Sequence, residues 1–251
     1  MAPSAAPLTG FERKAMSEVA IVAALEREVT GLVKSWNRVQ REFGGRNFRF
    51  WQRGAAVLVC GGVGAEAARR ATEAVVALYQ PAELISAGFA GALERGLPVA
   101  TVLEPATVVD ARDSARIPTG QGKGVLVSFA AVADQEQKAK LARSYSAQAV
   151  DMEAASVGKG AQVHGLRFRA VKVISDELGF PMPPMDRFVS HDGKFNTRNF
   201  AIYALLRPRS WPTVLQLGRN SAKAARALCR HLEGELGRER QACPVAQGSI
   251  E

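Results

Sequence analysis

Short apolar runs alternate along this chain with longer stretches of helical periodicity, and most of the runs stop at a glycine or a carboxylate. Buried strands and amphipathic helices taken in turn build a sheet covered by helices, so one α/β domain is expected. Val19-Ala24 reads as a buried strand. It is followed by a helix near Leu25-Trp36, in which Leu25, Val29, Leu32 and Val33 recur at helical spacing. Ala55-Cys60 is a second run, stopping at Gly61-Gly62-Val63-Gly64, and a helix over Ala65-Tyr79 follows until Pro81. Leu84-Ala87 reads as a third strand ending in a turn at Gly88-Phe89-Ala90-Gly91. Thr101-Asp110 and Val125-Ser128 read as two more, with a turn-rich Ile117-Gly124 between them. Asp134 and Gln137 have the spacing of a capping box that opens a helix to about Tyr145. Asp151-His164 reads as a helix stopped by Gly165, and Phe168-Ser175 as the last clear strand. A Pro-rich loop over Phe180-Asp186 and helices near Asn196-Leu206 and Pro212-Glu235 complete the reading. Residues 1–16 are expected to be a disordered tail, 17–240 the domain and 241–251 a flexible tail.

Composition removes whole classes. A hydrophobic share of 47% excludes a disordered chain. No apolar run approaches the roughly 20 residues of a membrane-spanning helix. The N-terminus lacks the apolar core of a signal peptide, so a cytoplasmic location is expected. Three scattered cysteines do not make a disulfide framework. His164, His191 and His231 show no ligand spacing, so no metal is expected. The net charge of +9 invites a polyanion. Residues 207–240 hold eight Lys/Arg against three Glu, 8 − 3 = +5. No basic stripe interleaved with aromatic residues accompanies them, so no nucleic acid is expected. That segment is either a solvated helix face or a peripheral contact with an anionic membrane.

Ligands of open α/β sheets bind at the carboxyl ends of strands. Those ends carry Glu26 and Glu28, Gly62-Val63-Gly64, Gly88-Gly91 and Asp176, and Glu153 stands at a helix start. Each has a plainer reading. Glu28 could be a solvated helix residue, Asp151 and Glu153 could favour a helix dipole, and Asp176 could cap a turn. Gly62-x-Gly64-x-x-Ala67 between strand and helix, with Glu83 further on, also fits a dinucleotide fingerprint, which would make this an NAD(P)-binding enzyme.

Taken in order, the segments resemble the nucleoside phosphorylase/nucleosidase superfamily, especially the methylthioadenosine/S-adenosylhomocysteine nucleosidases. The matching stretches are Val19-Ala-Ile-Val-Ala-Ala-Leu-Glu-Arg-Glu-Val29, Cys60-Gly-Gly-Val-Gly64, Ser86-Ala-Gly-Phe-Ala-Gly-Ala-Leu93, Val150-Asp-Met-Glu-Ala-Ala155 and Val171-Lys-Val-Ile-Ser-Asp176. The resemblance implies a mixed central sheet flanked by helices in three α/β/α layers, a homodimer, and no cofactor beyond phosphate as a possible co-substrate. It implies that Asp176 protonates N7 of a departing purine, supported by Ser175. Glu153 would accept the ribose hydroxyls, with Met152 packed on the sugar and Asp151 beside it. Glu28 would deprotonate the attacking water, Gly62 and Gly64 would border the nucleophile pocket, and Ala90 and Gly91 would line the substrate site. The usual Gly-Ser-Ala-Gly-Gly turn appears here as Gly88-Phe89-Ala90-Gly91-Ala92, without its serine, and Phe129 or Val132 would have to flank the base. Val125-Asp134 and the tail from Asp192 to Leu217 are similar to the hopanoid-associated phosphorylases, which implies a nucleoside linked to a lipid.

The chemistry calls for such a set. Cleaving an N-glycosidic bond leaves positive charge on the sugar and negative charge on the base, so the site needs a proton donor and nearby carboxylates. A free aspartate with a pKa of about 3.9 is ionised at neutral pH, so burial or the purine is expected to raise that of Asp176. A carboxylate at Glu28 repels a phosphate dianion, by about 1–4 kcal/mol at a few Å and surface-like dielectric. The chain also lacks the Gly-Asp-Pro-x-Arg-type loop of purine phosphorylases after its first strand. Both points favour water over phosphate.

Overall fold

A computed structural model describes residues 17–182, 188, 193, 196, 199 and 207–242. The expected tail over 1–16, most of the helix near Asn196-Leu206, part of the Phe180-Asp186 loop and all but the start of the C-terminal tail lie outside these residues. The chain runs β1 (Val19–Ala23), α1 (Glu26–Val33), β2 (Asn37–Phe43), β3 (Arg46–Arg53), β4 (Ala56–Cys60), α2 (Ala65–Tyr79) and β5 (Glu83–Ala92). It continues through β6 (Val102–Leu103), β7 (Thr107–Asp110), β8 (Arg116–Pro118), β9 (Val125–Ser128), α3 (Gln135–Tyr145), β10 (Ala149–Asp151), α4 (Ala154–Val163) and β11 (Arg167–Asp176). A 3-10 turn at Pro208–Ser210 leads into α5 (Trp211–Ala242).

The eleven strands of the described residues form one mixed sheet. Ala68, Ala71 and Val75 of α2 and Ala154, Val157 and Ala161 of α4 pack on one face, with Val57, Leu84 and Ala170. Val29 and Leu32 of α1 and Ala224, Leu228 and Leu232 of α5 cover the other, on Ile21, Leu58, Val171 and Val173. Leu141 of α3 joins Val109, Val127 and Val150 in a separate apolar cluster. Three α/β/α layers result, as expected for strands buried on both faces.

β5 organises the site. β11 runs parallel to it along nearly its whole length, from Glu83↔Arg167 to Gly91↔Asp176. On its other edge β1 pairs only as far as Ala23↔Ala87, and β10 joins antiparallel at Val150↔Gly91. Between those two partners, at Gly88-Phe89-Ala90, that edge is unpaired. The expected turn at Gly88-Gly91 is therefore corrected: β11 keeps those residues in the strand.

Other expectations also change. Ala149-Val150-Asp151 bridges β9 and β5 as a strand, so the helix read from Asp151 begins only at Ala154. Thr101-Asp110 is two strands, separated around Pro105, which has no N–H to give a ladder. The turn-rich Ile117-Gly124 includes part of β8. Residues 37–53, unassigned in the sequence, form a hairpin that extends the sheet through β4. The last helix runs on to Ala242, into the expected tail.

Candidate active site

A cavity of about 550 Å³ opens at the carboxyl ends of β1, β5 and β11. Its wall includes Glu28, Val63, Phe89, Ala90, Gly91, Val132, Asp151, Met152, Glu153, Ser175 and Asp176, from six separate stretches of chain. Each is placed by an element end. Glu28 sits in the first turn of α1, buried, with an oxygen turned back to the Leu25 N–H. Asp151 closes β10, Glu153 stands at the N-cap position of α4, and Asp176 closes β11.

Two buried lysines tie these acids together. Lys172 Nζ lies 2.9 Å from Asp151 Oδ2. Burial pulls its pKa down, but Asp151 and Glu153 more than reverse this and hold it above the usual lysine value. Asp151 is otherwise saturated. It accepts from Ser128 Oγ at 2.5 Å and from the N–H groups of Glu153 and Ala154 at 3.3 and 2.8 Å. It thus anchors Lys172 and the start of α4. Lys138 of α3 was not singled out in the sequence. Its Nζ lies 2.5 Å from Asp176 Oδ2 and 3.1 Å from the Glu177 carbonyl, while Ser175 Oγ donates to Asp176 Oδ1 at 2.8 Å.

The glycines serve clearance and hydrogen bonding. The Gly64 N–H donates to Glu153 Oε1 at 2.7 Å, so a free helix-start donor that could have cradled a dinucleotide phosphate is occupied by the protein's own carboxylate. Gly62 packs against the Gly193 backbone, and neither Gly62 nor Gly64 is part of the cavity wall, whereas Val63 between them is. At Gly88, a Cβ would stand 3.1 Å from Glu28 Oε2; at Gly91, 2.9 Å from Asp176 Oδ2 and 3.2 Å from Lys138 Cε. Of the two residues expected to flank the base, Val132 lines the cavity, whereas Phe129 packs with the apolar cluster of Val109, Val127 and Val150; among the described residues, Phe89 is the aromatic ring on the cavity.

Glu28 is pushed up to about 7 by burial, against the opposing pull of Lys172. Glu153 is pushed up to about 7 as well, by desolvation and then by Asp151, with Lys172 opposing. Two carboxyl groups that titrate near neutrality in one cavity are suited to proton transfer.

The sequence profile of the phosphorylase superfamily matches residues 18–136 and 124–202. The chain belongs to that superfamily. It is accordingly an enzyme of the N-ribosyl hydrolase and phosphorylase class. No curated protein matches the chain. Among solved structures, the superfamily fold is shared with futalosine hydrolase of Helicobacter pylori at 16% identity and a TM-score of 0.67, over 89% of this chain and 98% of that one. The apo 5′-methylthioadenosine nucleosidase of Arabidopsis thaliana aligns with a TM-score of 0.68 at 16% identity, over 89% and 96%. The Helicobacter pylori 5′-methylthioadenosine/S-adenosyl homocysteine nucleosidase, in complex with an aminopyrrolopyrimidine-bearing pyrrolidinol, aligns at 0.67 and 16%, over 89% and 99%.

Away from this cavity, the fold brings His231 beside two carboxylates that its sequence spacing does not show. Its Nε2 lies 3.0 Å from Glu104 and 3.8 Å from Glu235, and these three offer ligand atoms within 4.8 Å of one another. Arg169 already pairs with Glu235 at 2.8 Å there, which supplies a cation without a metal.

Gly91→Ala tests the clearance argument. A methyl group 2.9 Å from Asp176 Oδ2 forces the Asp176–Lys138 pair apart, and the variant is expected to fold but to lose most of its turnover. Circular dichroism beside a nucleoside-cleavage assay checks this, and unimpaired turnover contradicts it.

Proposed function

We propose that this enzyme cleaves the N-glycosidic bond of a purine nucleoside of the adenosine type, with water as nucleophile. The observation that carries the reading is one cavity lined by Asp176, Glu153 and Glu28 together. In this reading Asp176 is the donor to the leaving base, and Glu153 is the carboxylate for the ribose hydroxyls. Glu28 is the base for water. With its pKa near 7 it is partly ionised at neutral pH and can take a proton as the oxygen bonds to C1′. Met152 and Phe89 supply apolar surface for sugar and base. Where Glu28 is ionised, its carboxylate on the cavity wall disfavours a phosphate dianion.

A second observation bears on the 5′ group. The cavity is walled on one side by Val214, Leu217, Ala222 and Ala225 of α5, and Met182 joins them. Trp211 and Leu215 at the start of the same helix are 46% and 60% exposed. An apolar wall leading to exposed apolar residues, next to Arg207, Arg209 and Arg219, suits a nucleoside with a lipid 5′ substituent drawn from an anionic bilayer. No helix among the described residues is long and apolar enough to cross a membrane.

Mass spectrometry of products from methylthioadenosine, adenosylhomocysteine, adenosine and a 5′-lipid adenosine tests the substrate. Adenine release from at least one is expected, and release from none overturns the reading. The pH profile tests the roles of the two glutamates. Below about 7 both bind protons, Glu28 can no longer act as base and Glu153 no longer opposes the sugar cation. The logarithm of kcat/KM should therefore climb towards pH 7 with a slope above one, and Glu28→Gln should lower both turnover and slope. A profile flat across this range contradicts the assignment.

A further inference from the structure

The sequence raised a difficulty that the structure answers in an unexpected way. A donor to the purine must hold a proton, yet Asp176 is ion-paired with a buried ammonium at 2.5 Å, and its other oxygen accepts from Ser175. In such a pair the proton sits on the nitrogen. Burying a lysine strips it of hydration, and this chain does so at the residue assigned to protonate the base. The placement is well supported. Asp134 and Gln137 exchange both bonds of a capping box at the start of α3, and Lys138 follows directly. Gly91 leaves room for its Cε and Nζ, and its side chain lines the cavity with 2% of it exposed.

Resting on the reading of the site as one that expels a purine, we infer that Lys138 is the store of the proton that the leaving base takes, with Asp176 as relay. As the C1′–N9 bond breaks, its electron pair goes to N9 and makes the ring far more basic than the intact nucleoside. Asp176 then takes a proton from Lys138 Nζ and gives it to N7. The water oxygen bonds to C1′ and loses a proton to Glu28. That proton leaves to solvent, solvent reprotonates Lys138, and the balance is one water consumed, one free sugar and one neutral base released. Lys138 acts through Asp176 and is a positioning residue in that sense.

The test compares two leaving groups: a purine nucleoside, and 4-nitrophenyl riboside, whose phenolate leaves without a proton. Lys138→Arg keeps a positive charge opposite Asp176 but does not surrender a proton, and Lys138→Met removes both. Each variant should lose at least about 100-fold more in kcat on the purine nucleoside than on the nitrophenyl riboside. Purine turnover retained by Lys138→Arg, or equal losses on the two substrates, overturns the relay. Wild-type protein that cleaves neither riboside instead overturns the functional reading beneath it.

Discussion

Lys172 sits buried among Asp151, Glu153 and Glu28, and three carboxyl groups could not share a cavity wall without it. Crowded carboxylates repel one another and resist desolvation, so an uncompensated set would take up protons or open to water. The lysine also sets their division of labour. Asp151, bonded to Lys172, Ser128 and the α4 backbone, is committed to structure. Glu28 and Glu153 feel the same cation from further off, and both are left titrating near 7. Removing one partner of a buried pair typically costs about 3–5 kcal/mol, because the other charge is then stranded. Lys172 is thus as much a part of the fold as of the chemistry.

The sheet makes this convergence possible. Along one edge of β5 the pairing partner changes from β1 to β10, and the unpaired interval at Gly88-Phe89-Ala90 is where Glu28 can approach the strand. Along the other edge β11 brings Asp176 level with Gly91. α3, packed on β9 and β10, then delivers Lys138 to Asp176, and α5 closes the cavity with small and aliphatic residues. The basic residues of that helix bring the net charge back into the account. Six Lys/Arg against three Glu, 6 − 3 = +3 of the net +9 that first suggested a polyanion, lie on the element walling the apolar side of the cavity.

Much of this was legible in the sequence, for identifiable reasons. The buried strands read well because burial on both faces makes them continuous apolar runs, and α2 is bounded by Gly64 and Pro81 as its residues suggested. Glu28, Glu153 and Asp176 could be singled out because each stands at an element end. The β2–β3 hairpin was missed because Asn37–Phe43 is almost wholly exposed and offers no alternation. Its signal was Gly44-Gly45, both at positive φ, in a two-residue turn. β5 was cut short because glycines in a strand look like a turn when the strand's partner is unknown. Lys138 was invisible for a related reason. A lysine among the polar residues of an amphipathic helix looks solvated, and only the fold shows that its face meets Asp176.

The claim at the centre of this account is that the cavity breaks a purine N-glycosidic bond with water. Turnover of a cleaved nucleoside in ¹⁸O-labelled water containing phosphate tests it most directly. The account predicts free sugar carrying one ¹⁸O at C1 and no sugar 1-phosphate; sugar 1-phosphate as the product would contradict it.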